Sequence, residues 1–268
     1  MTDEREDEAT HLAEERREVV VPAGQEPPTG VFDRMLGVIV SPGEAFADVA
    51  RAPLPYLPLL LLLAITAGVT AFTFARIPMD GMVNERLQQM VEEGRLTQEQ
   101  VAQQQEQMAA MRPVMRWAGP ITSVVFILLL TLAVAGVARL VSLMMGYENQ
   151  FLSLWSVTIY AWLVTSIFST LLFLVVVFVK PVEEIDIANP LGSNLAALLP
   201  LFGVTGLPRF VTSFLTWVDL FYGWKVVLLG IGYAAVTRRF ATSTSLLFCG
   251  VIALLIALGA AAWSAVLG

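Results

Sequence analysis

Residues 151–179 read FLSLWSVTIYAWLVTSIFSTLLFLVVVFV. There is no charge in these 29 residues. At 1.5 Å per residue they make a helix of about 43 Å, more than the roughly 30 Å needed to cross a hydrocarbon core. A helix of that length tilts, or lays its first turns in the interface. No soluble element needs such a run. The stretch therefore decides the class, and the rest of the chain agrees with it. Four more apolar runs are long enough to span, at about 56–75, 118–145, 210–236 and 244–267. Apolar residues make up 56% of the chain and charged residues only 15%, against about 45–50% and 25% in a soluble domain. The expected fold is an all-α membrane protein with a bundle of five transmembrane helices. Residues 195–204 are apolar but too short to cross, and read as a re-entrant or interfacial piece. A sixth span would require this piece and its flanks to bend into the bilayer.

The polar segments divide the remainder. Residues 1–30 carry nine acids against three arginines and account for −6 of the net charge of −7. Such a segment buries too little apolar surface to offset the entropy of ordering, so a disordered acidic tail is expected. It shows no basic n-region followed by an apolar run, so the first span is expected to act as an uncleaved signal. Residues 31–53 are different. Val31, Phe32, Met35, Leu36, Ile39 and Val40 recur at helical spacing. Ser41-Pro42-Gly43-Glu44 then reads as an N-cap, a proline at the first helical position and a capping box. Two short amphipathic helices are expected, lying in the membrane interface or packed on the end of the bundle. Both readings stay open. The favoured orientation for Phe32, Leu36, Ile39 and Phe46 is toward the bundle or the acyl boundary.

The one long polar connection, residues 77–116, predicts a helical hairpin outside the bilayer. Asn84–Glu93 favours helix, Gly94 suits a left-handed stop, and Thr97-Gln98-Glu99-Gln100 restarts the helix with a capping box. Met108, Met111 and Met115 share a helix face. Thioethers suit Cu(I), but no histidine or cysteine joins them, and a hairpin needs an apolar seam.

Few residues can carry chemistry. The single histidine, His11, lies in the tail, and the single cysteine, Cys249, lies in the fifth span. No nucleophile motif, phosphate-binding loop, metal site or cofactor site is present. Gly230-Ile231-Gly232 reads as close helix packing. No basic surface suggests nucleic acid. Ionisable groups within spans are costly and therefore informative. Arg139 sits near a span end, where its stem can snorkel. Asp219 and Lys225 fall in the fourth span, six residues and about 240° apart, so they are no direct pair on one helix face. Lys225 either faces a neighbouring helix or pairs with Glu148. It is a candidate site for an ion or an anionic headgroup, against the alternative of a structural contact or a snorkelling lysine in a shallower span. The third span's Ser153, Ser156, Thr158, Tyr160, Thr165, Ser166, Ser169 and Thr170 suit interhelical or backbone hydrogen bonds. A polar conduit is the sharper alternative. Basic residues number eight on the amino-terminal side and seven on the other. Without the distant Arg5, Arg16 and Arg17 the tally is five against seven. The positive-inside rule therefore leaves the orientation open.

Three stretches resemble the Yip domain family of multipass membrane proteins, named for interaction with Ypt/Rab GTPases. Ser41-Pro42-Gly43-Glu44-Ala45-Phe46-Ala47-Asp48-Val49 followed by Ala52-Pro53 is similar to the family's Pro-x-x-x-Phe segment before the first span. Gly146-Tyr147-Glu148-Asn149-Gln150-Phe151, with Tyr160 beyond, resembles its glycine-led entry to the third span. Asp219-Leu220-Phe221-Tyr222-Gly223-Trp224, with Gly230 and Arg238-Arg239 beyond, resembles the Asp-x-Phe-x-x-Trp opening of the fourth. The resemblance implies five spans, a cytoplasmic amino terminus, an external carboxyl terminus and a non-enzymatic role. It makes Phe46, Asp219, Phe221, Trp224 and Lys225 the candidate interaction or structural residues. The Gln-rich hairpin and an Arg-over-Lys excess of 14 to 2 resemble the bacterial branch and an inner-membrane setting. The tail lacks the Tyr-Gly-Pro character of the eukaryotic segment, so binding of a Rab-type GTPase is not carried over. The expected function is a membrane adaptor or scaffold that binds other membrane proteins or shapes lipid. The alternative is a small transporter or channel component using the hydroxyl-rich third span and Lys225.

Overall fold

The computed structural model describes residues 29–76, 84, 87, 88, 90–147, 149–181, 185, 189–237 and 241–267. The acidic tail before residue 29, Glu148 and the Arg238-Arg239 pair lie outside them. The helices are α1 (Val31–Val40), α2 (Pro42–Arg51), α3 (Tyr56–Arg76), α4 (Gln98–Met144), α5 (Phe151–Val179), α6 (Leu195–Leu198), α7 (Arg209–Trp217), α8 (Leu220–Thr237) and α9 (Thr242–Leu267). A 3₁₀ turn, Leu199–Phe202, follows α6. Five of these helices are long and apolar enough to cross a membrane: α3, α4 from Arg116 onward, α5, α8 and α9. The described residues form an all-α bundle with no strand. A single isolated bridge joins Asn194 and Asp219.

Helix α5 is the centre, with the bounds expected from its sequence. It packs on α1, α2, α3, α4 and α8. From Ser153 to Thr165 every side chain except that of Trp155 is buried. A helix that is apolar all round needs such a position. Its hydroxyls are mostly spent on its own backbone. Ser156, Thr158 and Thr165 donate to the carbonyls of Leu152, Leu154 and Ala161 at 2.8–2.9 Å. Two of the group link helices: the Thr158 and Tyr233 hydroxyls share a hydrogen bond of 2.8 Å, and Ser153 Oγ donates to the Ala50 carbonyl of α2 at 3.4 Å. The outward faces of the spans stay apolar and exposed, as at Phe126, Leu140, Leu171, Phe178 and Leu255.

Two expectations are corrected, and the hairpin gains a detail that the sequence did not give. Its second arm runs on into the second span without a break. Helix α4 is continuous for 47 residues through Pro113 and Pro120. Its part before Arg116 therefore forms a rigid extension of about 27 Å. The Thr97–Gln100 capping box is formed, and Gly94 adopts φ 71°, the left-handed stop that separates the arms. In the first arm, residues 84, 87, 88 and 90–92 are helical, and Gln105 donates to Asn84 Oδ1 across the hairpin at 2.9 Å.

The fourth span is shorter than 210–236. The chain breaks at Val218–Asp219, giving the amphipathic α7 and an 18-residue α8. The cause is local. Asp219 Oδ1 accepts from the backbone N–H of Tyr222 at 2.9 Å, as an N-cap does. Leu195 N–H donates to the Val218 carbonyl and Leu220 N–H to the Ser193 carbonyl, so the break is stitched to the preceding loop. The Ser193 hydroxyl also donates to Asp219 Oδ2. Finally, the Ser41–Glu44 capping box is not made. Ser41 offers no side-chain cap to α2, although Pro42 occupies the first turn as expected.

Candidate functional site

The most elaborate polar structure lies where α1 and α2 cover the amino-terminal end of α5 and the adjoining part of α8. Helix α1 folds back on α2 at Gly37, where an added Cβ would stand 3.0 Å from Ala45 Cβ. The pair presents Val38, Ala45, Phe46 and Val49 to the bundle, where they join a buried cluster with Val157, Tyr160 and Leu228. Gly232 of α8 makes room for this contact. A Cβ there would lie 2.3 Å from Val157 Cγ1 and 3.2 Å from Phe46 Cγ. Phe46 is fully buried, so it acts in packing rather than as an exposed contact. The segment packs on the bundle through Val38, Ala45, Phe46 and Val49, while Phe32, Leu36 and Ile39 face outward.

Arg34 is the largest fully buried side chain among the described residues. Its Nε donates to Asp48 Oδ2 at 2.7 Å, and a terminal nitrogen donates to the Ala52 carbonyl at 2.7 Å. Asp48 Oδ2 also accepts from the Thr29 hydroxyl at 2.7 Å, and Oδ1 from Arg51 at 3.2 Å. Burial alone would push the Asp48 carboxyl up. The hydrogen bonds from Thr29 and Arg34, with the Arg34 charge, outweigh it and hold the carboxyl below its ordinary value. The other terminal nitrogen of Arg34 and the Tyr160 hydroxyl are buried without a hydrogen-bond partner. A charged latch thus ties α1 to α2 beneath the bundle.

The latch has a consequence for α1. With Arg34 and Val38 turned inward, Phe32, Leu36 and Val40 face outward at 66%, 63% and 82% exposure, and Ile39 is exposed too. Among the described residues nothing covers these outward apolar side chains of α1. Helical periodicity revealed those apolar positions. It could not reveal the latch, because Arg34 and Asp48 lie 14 residues apart on different helices.

The second candidate surrounds Lys225. Starting α8 at Leu220 places this lysine five residues in, about 7.5 Å along the axis and not mid-helix. Lys225 Nζ stands 4.7 Å over the Trp162 ring of α5, a cation–π arrangement. Among the described residues it makes no ion pair, and Asp219 is committed to Ser193 and Tyr222. A neighbouring apolar cleft of ≈ 190 Å³ is bounded by α4, α5, α8 and α9. Trp224 sets its ring against Phe168 at 5.2 Å, edge to face, and so joins α8 to α5. Phe221 is half-buried at the same end of α8. Asp219, Phe221, Trp224 and Lys225 thus gather at one end of α8, while Phe46 lies toward the other.

A five-span helical bundle with a latched amino-terminal cap and a break at Asp219 defines a class of multipass membrane protein. The Yip1 domain model matches residues 36–265, and the chain belongs to that family. No curated protein and no solved structure matches it.

Proposed function

We propose that this protein is a non-enzymatic adaptor of a bacterial inner membrane, with its amino terminus cytoplasmic, which binds other membrane proteins through the outer face of α1. The observation that carries this reading is the latch. Arg34 and Asp48 tie α1 to α2 with Phe32, Leu36, Ile39 and Val40 left exposed on the outward side. Fully burying a Phe or Leu contributes roughly 1.5–3 kcal/mol, so a partner helix or an acyl boundary laid on these residues would be held firmly. The 47-residue α4 gives a second rigid arm on the opposite side of the bundle. Family membership supports a membrane role; the adaptor reading rests on the geometry of α1.

The transport alternative has less support. The hydroxyls of Ser156, Thr158 and Thr165 are bonded to carbonyls of their own helix, which leaves little lining for a polar conduit. Binding of a Rab-type GTPase is not proposed.

A photo-crosslinking residue placed at Leu36 of the full-length protein in native membranes tests the reading. Protein adducts at Leu36, absent when the probe is moved to buried Val38, are the expected result. Adducts to lipid alone at Leu36 would overturn the adaptor reading.

A further inference from the structure

We propose that the cleft beside Lys225 binds one anionic phospholipid, its phosphate on the Lys225 ammonium and one acyl chain laid between α4 and α9. Helix α4 packs on α3 and α5, and α9 packs on α7 and α8, leaving a gap between α4 and α9 with Trp162 of α5 in its wall. Its lining is apolar, with Val134 and Val137 on one side and Phe248 and Ile252 on the other. The Tyr233 hydroxyl is engaged with Thr158, and the Tyr222 hydroxyl reaches the Ala253 carbonyl at 3.5 Å. Lys225 supplies the charged donor of the cleft. No acceptor among the described residues lies within hydrogen-bonding distance of its ammonium, and it is not fully buried.

The dimensions select the occupant. Along α8 the cleft runs from Tyr222 to Tyr233, about 16 Å of helix. One leaflet of the hydrocarbon core is about 15 Å deep. Lys225 stands near the end of α8 where the span begins, the depth from which a lysine stem reaches a headgroup. The cleft is walled by α4, α5, α8 and α9, which suits one flexible chain laid along it. A single chain with a negative head satisfies the ammonium and fills the apolar wall together. This inference does not depend on the adaptor reading, since it concerns the opposite end of α8 from the latch.

The test uses purified full-length protein and native mass spectrometry, with phosphatidylglycerol and phosphatidylcholine of identical chains supplied together. Wild type should retain the anionic lipid over the zwitterionic one by about fivefold, the effect expected of one lysine charge near a membrane surface. Lys225→Gln should abolish the preference and Lys225→Arg should keep it. Lys225→Met replaces the glutamine variant if that one is not monodisperse. Ala253→Phe, which narrows the chain wall, should reduce retention of both lipids. Equal retention by wild type, or an undiminished preference after removal of the Lys225 charge, would overturn the proposal. Displacement of the lipid by excess glycerol phosphate would also overturn it, because the chain would then contribute nothing.

Discussion

Arg34 of α1 and Asp48 of α2 form a buried ion pair, Nε to Oδ2 at 2.7 Å, beneath the amino-terminal end of the bundle. This pair and the apolar contacts of Val31, Met35 and Val38 lie on the same inward side of α1. Removing one partner strands the other. Arg34→Met alone or Asp48→Asn alone should lower stability by about 3–5 kcal/mol, while the double variant should recover much of the loss. Thermal melting in one detergent, read as a double-mutant cycle, measures the coupling.

The same pair predicts an acid limb. The Asp48 carboxyl is held below its unfolded value, so its stabilisation is complete above the unfolded pKa of about 3.9 and is lost as pH falls through the folded value. Stability should therefore be insensitive to this group near neutrality and should decline in acid. In Asp48→Asn the acid decline should be shallower. An equally steep decline in that variant would assign the limb to other carboxylates.

Gly232 should be the least tolerant glycine of α8 toward this cap. A Cβ there meets Val157 and Phe46 at 2.3 and 3.2 Å, so Gly232→Ala should cost about 1–3 kcal/mol through overpacking. Gly223, on the same helix, has nothing within 4 Å of an added Cβ, and Gly223→Ala should leave the melting temperature unchanged or slightly raised.

The proposed orientation puts Gln104 outside and Thr242 inside the cell, and both positions are exposed. In a Cys249→Ala background, Gln104→Cys should react with a membrane-impermeant maleimide in intact cells, and Thr242→Cys should not. The reverse labelling would invert the topology.

The parts of this fold that were legible in the sequence are those written in local pattern. The uncharged run 151–179 marked α5 with its bounds, because its first half is buried among other helices and its second half faces outward with apolar side chains, and neither setting favours a charge. Thr97-x-x-Gln100 and Gly94 marked a helix start and stop, because backbone N–H groups at a helix end recruit nearby side chains. The break at Asp219 was hidden in an apolar run, since hydropathy averages over a cap. Only the Asp-x-Phe-x-x-Trp resemblance placed the opening of the span there. The latch was hidden for a different reason. Arg34 sits beside Asp33 in a mainly apolar helix, and nothing in that pattern says that its partner is Asp48 on the next helix. The Ser41–Glu44 box shows the converse: a capping pattern can be present while its hydrogen bonds are not made.

The latch and Val38 face the bundle, and Phe32, Leu36 and Val40 of α1 face out. A spin-label scan of positions 31–51 in the full-length protein, reconstituted in a bilayer, reads this directly. Labels at Val38, Phe46 and Val49 should be immobile and shielded from both oxygen and a water-soluble relaxant. Labels at Phe32, Leu36 and Val40 should be accessible, and Asp48→Asn should blur the difference. Uniform exposure to water along the segment, or immobility at Phe32 and Leu36 with mobility at Val38, would contradict the account.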